Sequence, residues 1–271
     1  MDDKIKILGN WFAGHSGTIT AFSGGIDSAL VLYLSHLFLD QRAIGCISIS
    51  PSLKRKDYSE AIEFCQQYGI HLEIIETKET EDENYLANPA NRCYFCKSHL
   101  YTDLTLLQDK YPGYTLLNGT NKDDFQDYRP GLQAAREHAI QSPLADCGLT
   151  KEDVRVLGKY FGLPNWNKPA SPCLSSRVPY GDFITPEKLR QIESAESILN
   201  GLGFADVRVR HYGKEAKIEV PAGQLTQLRS YTQEITKAFS ELGFESCRID
   251  EEGLVSGKLN RALKNTQQIY E

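Results

Sequence analysis

The sequence predicts an α/β protein: a doubly wound, mostly parallel sheet followed by a smaller C-terminal α+β domain. Two observations carry this. Over the first half, short apolar runs alternate with segments that are apolar at helical spacing, the pattern of strands joined by crossover helices. Over the last third the order changes to helix, strand, strand, helix, strand, which suits a small α+β domain on an antiparallel sheet. The chain has 271 residues, enough for one large domain or two modest ones. With 41% hydrophobic and 24% charged residues it is ordinary globular material, so disorder and low complexity are poor readings.

The elements follow in order. Thr18 to Phe22 reads as a buried strand ending in a Gly-containing loop, and Ile26 to Leu39 as a helix. Ile44 to Ile49 is a second strand, Tyr58 to Tyr68 a second helix and His71 to Glu76 a third strand. After a polar loop, Lys97 to Leu107 is helical and Tyr114 to Asn118 is a fourth short strand. Thr150 followed by Asp153 marks a helix start, because a hydroxyl and a carboxylate at that spacing cap orphan amides. Gly162 and Pro164 stop that helix after Phe161. A loop rich in Pro, Ser, Asn and Gly then runs to Thr185, and sets the expected boundary between a domain of residues 1–184 and one of residues 185–271. Beyond it come a helix from Pro186 to Leu202, strands Asp206 to Arg210 and Ala216 to Val220, a helix from Gln224 to Leu242 and a strand from Glu245 to Asp250.

Charge and composition narrow the function classes. A net charge of −6 argues against general nucleic-acid binding, which depends on neutralising phosphates. No run of about 18 apolar residues is present, so no membrane span is expected. The N-terminus lacks the pattern of a secretory signal, and the expected compartment is the cytoplasm. There the seven cysteines are thiols by default, and clustered ones are candidates for metal binding or chemistry.

The sharpest motif is Ser23-Gly24-Gly25-Ile26-Asp27-Ser28, between a strand and a helix. The glycines let the backbone approach a ligand, and amides at the helix start, with the helix dipole, favour an anion. Ser23 and Ser28 add hydroxyls. Asp27 beside a polyanion makes sense if it binds Mg²⁺ or orders the loop. The loop lacks a Walker A ending and is not a dinucleotide fingerprint. It resembles the SGGxDS loop of the ATP pyrophosphatase superfamily (the PP-loop, adenine nucleotide alpha hydrolase-like enzymes), which implies cleavage of ATP between its α and β phosphates.

Cys93-Tyr94-Phe95-Cys96 places two thiols before the helix expected at Lys97, and Cys173 lies in the loop Ser171-Pro172-Cys173-Leu174-Ser175-Ser176-Arg177. A lone C-x-x-C is weak for structural zinc and lacks the strand of a thioredoxin motif. The residues alone leave two readings: three unconnected thiols, or an open site like a [4Fe–4S] cluster with one iron free. Cys46, Cys65, Cys147 and Cys247 read as packing residues.

Taken together, AFSGGIDSAL, NRCYFCKSHLY, LLNGTNKDDFQDYRPG, NWNKPASPCLSSRVPYG and VRVRHYG resemble the LarE family of ATP-dependent sulfur transferases over nearly the whole chain. The resemblance implies nickel-pincer nucleotide biosynthesis, which serves lactate racemase among other enzymes. A carboxylate of pyridinium-3,5-biscarboxylic acid mononucleotide is adenylated by ATP with release of pyrophosphate, and sulfur then displaces AMP. Members draw sulfur either from one sacrificed cysteine or from a [4Fe–4S] cluster on three cysteines. With Cys93, Cys96 and Cys173 all present, the cluster type is expected, supplied by sulfide or another sulfur donor, with sacrifice of Cys173 as the alternative. A homo-oligomer is also implied, with the small domain contributing to substrate binding or to contacts between copies. A tRNA sulfur transferase is the rival enzyme, and a regulatory module that binds ATP without cleaving it is the rival from another class.

The match implies roles residue by residue. Ser23, Gly24, Gly25, Asp27 and Ser28 would bind ATP phosphates and position Mg²⁺. Ala21 and Phe22, Ser48 or Ser50, and Gly119 with Thr120 would lie near the adenine or ribose. Asp123, Asp124, Asp127 and Arg129 are either a solvated turn or part of the site. Lys97 and Arg177 are either surface cations or holders of a phosphate or substrate carboxylate. Arg208 and Arg210 share a strand face beside His211, and either hold the substrate phosphate or protect an edge strand.

Overall fold

A computed structural model describes residues 1–126, 129–169, 171–255 and 257–261. In chain order the helices are α1 (Asp2–Ala13), α2 (Ile26–Leu39), α3 (Arg55–Tyr68), α4 (Glu83–Leu86), α5 (Arg92–Leu106), α6 (Gly131–Glu137), α7 (Pro143–Asp146), α8 (Lys151–Tyr160), α9 (Pro186–Gly201), α10 (Leu225–Ser230) and α11 (Thr232–Glu241). The strands are β1 (Thr18–Ala21), β2 (Ala43–Ile49), β3 (His71–Glu76), β4 (Thr115–Leu117), β5 (Arg208–Tyr212), β6 (Glu215–Glu219) and β7 (Ser246–Ile249). They fall into two compact units. One comprises Met1–Glu79 and Asn91–Ser171; the other comprises Thr80–Ala90 and the chain from Pro172 onward.

The first unit is the expected parallel sheet, in the order β3-β2-β1-β4 with every pairing parallel. β1 is buried at all four positions, and α2 is buried on nearly every side, so both are apolar without alternation. Strand order turns back between β1 and β4, the switch point where ligands of such sheets bind at the carboxyl ends. The loop Ser23–Ser28 leaves β1 at that point. Thr150 accepts from the Asp153 amide and Asp153 from the Thr150 amide, so the capping box expected at the start of α8 is formed.

Three expectations are corrected. α5 begins at Arg92, so Cys93 and Cys96 lie one turn apart on the helix rather than ahead of it. The helix expected from Gln224 to Leu242 is two helices broken at Tyr231. In the second unit β5 pairs antiparallel with β6, but β6 pairs parallel with β7, so that sheet is mixed rather than antiparallel. Its apolar face packs on α9 and α11 through residues such as Leu199, Val209, Ile218 and Phe239. Among the described residues no helix is long and apolar enough to cross a membrane.

Candidate active site

The loop after β1 is a ring of short polar contacts. Ser28 Oγ accepts from the Ser23 amide at 3.1 Å, donates to the Gly25 carbonyl at 3.1 Å and lies 3.0 Å from Ser23 Oγ. Gly24 has φ +73°, a conformation that favours glycine. Asn165 Nδ2 donates to the Gly24 carbonyl at 3.0 Å and pins the loop from outside. No side chain caps the start of α2, so its first-turn amides remain open to an anion. Ala21 is buried at the end of β1 and Phe22 packs in the core, while Ser23 is exposed.

Asp27 is held on both oxygens. Asn121 Nδ2 donates to Oδ1 at 3.0 Å, and the Lys151 ammonium pairs with Oδ2. Lys151 stands at the first position of α8, and Asp123 Oδ2 accepts from its amide at 2.9 Å. Asp124 accepts from the Asn121 amide at 3.0 Å and pairs with Arg129 at 2.7 Å. Burial raises the Asp124 pKa; the Asn121 amide and the Arg129 charge oppose that shift, and the Asp27 charge adds to it. Asp123, Asp124 and Arg129 are therefore held by polar contacts beside the phosphate loop, and are not a purely solvated group. Asp127 lies outside the described residues.

Gly119 owes its place to packing. A Cβ there would lie 2.5 Å from the Ser28 amide nitrogen and 2.9 Å from the Asp27 carbonyl carbon, so only glycine lets the loop after β4 meet the start of α2. The Thr120 amide donates to Asn118 Oδ1 at 3.0 Å. Ser48 and Ser50, at the end of β2, are half-buried. Lys97, on α5, packs its stem on Gly131 and lies over the Tyr101 ring.

The cysteines divide between the units. Cys93 is exposed and Cys96 half-buried in the first; Cys173 is exposed in the second, and none of the three is in a disulfide. Among the described residues no three His, Cys, Asp or Glu side chains form a metal-binding group. The Cys173 carbonyl accepts from the Ser176 amide at 3.0 Å, Ser176 Oγ at 2.7 Å and Arg177 Nη1 at 3.1 Å. The thiol thus rides on a clamped backbone.

Arg177 is neither a surface cation nor an open fork. It is 1% exposed and donates to Glu196 at 2.7 and 3.3 Å, to the Pro172 carbonyl at 2.7 Å and to Ser176 Oγ at 2.8 Å. Glu196 also accepts from the Val209 amide at 3.1 Å, tying α9 to β5. Arg210 is buried too, donating to the Ser176 carbonyl at 2.7 Å and to Glu219 at 2.8 Å, with its Nε unpartnered. Arg208 is half-buried beside them, and its side chain makes no hydrogen bond among the described residues. Burial, and then the charges of Arg177 and Arg210, lower its pKa. His211 is buried, with Nε2 2.9 Å from Gln191 Oε1 and Nδ1 unpartnered.

Asn121, Lys151, Asn165 and Glu196 belong to these constellations and were missed by sequence reasoning. Asn121 had a signal, since it sits inside the GTNKDD stretch. Lys151 followed a residue read only as a cap, and its partner Asp27 is 124 positions away.

Comparison with known proteins follows the same lines. Residues 11–88 match the NAD synthase family model. An uncharacterised protein of Synechocystis is 42% identical over 97% of this chain and 99% of its own length. The pyridinium-3,5-bisthiocarboxylic acid mononucleotide synthase of Lactiplantibacillus plantarum is 32% identical over 91% of this chain and 90% of its own. A GMP synthase of Bacillus mycoides is 26% identical over 69% of this chain but only 40% of its own length.

Proposed function

The chain belongs to the LarE family of PP-loop sulfurtransferases, and on that premise we propose that it uses ATP to convert carboxylates of pyridinium-3,5-biscarboxylic acid mononucleotide into thiocarboxylates. The observation that carries the reading is the open anion loop at the switch point, with Asp27 tethered by Asn121 and Lys151. A carboxylate is a poor electrophile, because oxide is a poor leaving group. Attack of the substrate carboxylate oxygen on the α-phosphorus forms an acyl-adenylate and expels pyrophosphate. Sulfide sulfur then bonds to the carbonyl carbon, AMP leaves with the C–O bond electrons, and a proton goes to solvent.

Ser23, Gly24, Gly25, Ser28 and the first amides of α2 bind the phosphates, and the Lys151 ammonium adds a cation at the same mouth. Asp27, a hard oxygen donor, fits Mg²⁺ and would hold it; the metal, when bound, would supply charge to neutralise departing pyrophosphate. Ala21, Ser48, Thr120 and Arg129 line or support the nucleotide side. In the second unit Arg208 takes the substrate phosphate, since the donors of Arg177 and most of those of Arg210 are spent on carboxylates and carbonyls. Arg177 acts as a positioning residue for Cys173.

For the sulfur source, the donor set of Cys93, Cys96 and Cys173 fits an iron–sulfur group by its chemistry, because thiolates are the soft ligands iron clusters take. When bound, a [4Fe–4S] cluster on three thiolates supplies one open iron for sulfide. The second reading, sacrifice of Cys173, is favoured by its exposed thiol on a fixed backbone. Anaerobic purification separates them: about four iron and at least four sulfide per chain, lost in Cys93→Ala, are expected. No iron after reconstitution, with a loss of roughly 34 Da after turnover, would instead assign the sulfur to Cys173.

A further inference from the structure

A chain of hydrogen bonds at the carboxyl ends of β2 and β3 runs from two serines to one buried acid. Glu79 is 2% exposed. Its carboxylate accepts from Thr77 Oγ1 at 2.6 Å and from Ser52 Oγ at 3.2 Å. Ser48 Oγ lies 2.6 Å from Thr77 Oγ1, and Ser50 Oγ lies 2.9 Å from Ser52 Oγ. Each hydroxyl has one proton. A carboxylate only accepts, so the protons of Thr77 and Ser52 are committed to Glu79. Ser48 must then donate to Thr77, and Ser50 to Ser52. Both serines are left with lone pairs alone to offer a ligand. Ser50 has already spent one on the Ser52 amide at 3.3 Å, whereas Ser48 has spent none among the described residues.

We infer that Glu79, acting through Thr77 and Ser52, fixes Ser48 and Ser50 as hydrogen-bond acceptors and so makes the site select a 6-aminopurine nucleotide over a 6-oxopurine one. The inference rests on the ATP reading above, which places a purine at the strand ends. The amino group of adenine donates and would meet the lone pairs. The oxo group of hypoxanthine or guanine accepts, and would face them without a proton between. A site with fixed polarity rejects the wrong partner because a buried polar group is left unpaired. Glu79 is thus a positioning residue, and an elaborate buried hydroxyl–carboxylate chain that contributes nothing to the apolar core gains a purpose.

The test compares binding of ATP and inosine triphosphate, which differ in this feature, to the full-length protein with Mg²⁺ by equilibrium dialysis. The wild type is expected to prefer ATP by about tenfold or more, the scale of one buried hydrogen bond. Glu79→Gln gives the chain a donor at its buried end, reverses one branch and frees a serine proton. Its preference is expected to fall by about tenfold. Ser48→Ala, at a half-buried position that does not disturb the acid, is expected to lose the preference by weakening ATP alone. A purely structural role would weaken both nucleotides together and leave the ratio unchanged. An unchanged ratio in Ser48→Ala and Glu79→Gln, or equal wild-type binding of the two nucleotides, overturns the inference. Failure of the wild type to bind either one overturns the ATP reading itself, which is a different result from equal binding.

Discussion

The phosphate loop of the first unit and the arginine group of the second are both knots of polar side chains around a short backbone segment, yet they dispose of their donors in opposite ways. In the first, side chains hold the loop from outside while the leading amides of α2 stay uncapped, and the Asp27–Lys151 pair is partly exposed. In the second, Arg177 and Arg210 are almost wholly buried against Glu196 and Glu219, and others of their donors close on the carbonyls of Pro172, Cys173 and Ser176, with Arg210 Nε left over. Open donors suit a ligand that arrives and leaves. Spent donors suit a backbone held at a fixed place. Within that group Arg208 is the exception, its side chain making no hydrogen bond among the described residues, and for that reason it is the arginine proposed for a ligand.

The contrast breaks most visibly on removal of a carboxylate. Glu196→Ala leaves Arg177 buried and uncompensated, and should cost the second unit about 3–5 kcal/mol in a denaturant titration. Asp27→Asn, at a part-exposed pair, should cost little stability but lower pyrophosphate release by about a hundredfold, if Asp27 holds the metal that neutralises the leaving group. A large stability loss in Asp27→Asn with normal pyrophosphate release would reverse the assignment of the two regions.

A smaller effect is expected at Arg208. Arg208→Ala should weaken binding of the mononucleotide substrate by about tenfold while sparing ATP, as one charge-assisted contact would. Equal loss of both ligands in a titration sinks the phosphate assignment.

The smallest effect concerns pH. Burial, with the Lys188 charge adding to it, lowers the His211 pKa below the ordinary 6.5. The folded state therefore binds fewer protons than the unfolded one in the window beneath that value. This contribution to stability is present in full above about pH 6.5, and is lost as pH falls through the lowered folded value. His211→Gln should flatten the acid limb of the melting temperature there; an unchanged limb would show that His211 does not set it.

Much of this was legible in the sequence where the signals are local. β1, the glycines, the serines and α2 follow one another, so both the loop and the parallel sheet were readable. Strand direction was not: nothing in Ser246–Ile249 tells that β7 runs parallel to β6. The start of α5 was hidden because Asn91 makes no side-chain cap and Cys93 and Cys96 are poor helix signals. The fate of Arg177 depended on Glu196, 19 residues away on another element, and the fate of Asp27 on Lys151. Periodicity shows which face is apolar, but not which distant acid meets which base.

The central claim is that activation belongs to the loop of the first unit and sulfur delivery to the thiols. A single-turnover reaction that quantifies pyrophosphate and thiocarboxylate in the same sample, with wild type, Asp27→Asn and Cys173→Ala, tests it directly. The wild type is expected to give both products, Asp27→Asn to give both about a hundredfold more slowly, and Cys173→Ala to give pyrophosphate without thiocarboxylate. Thiocarboxylate at the wild-type level from Cys173→Ala, or none of either product from the wild type with ATP and the carboxylate substrate, would contradict it.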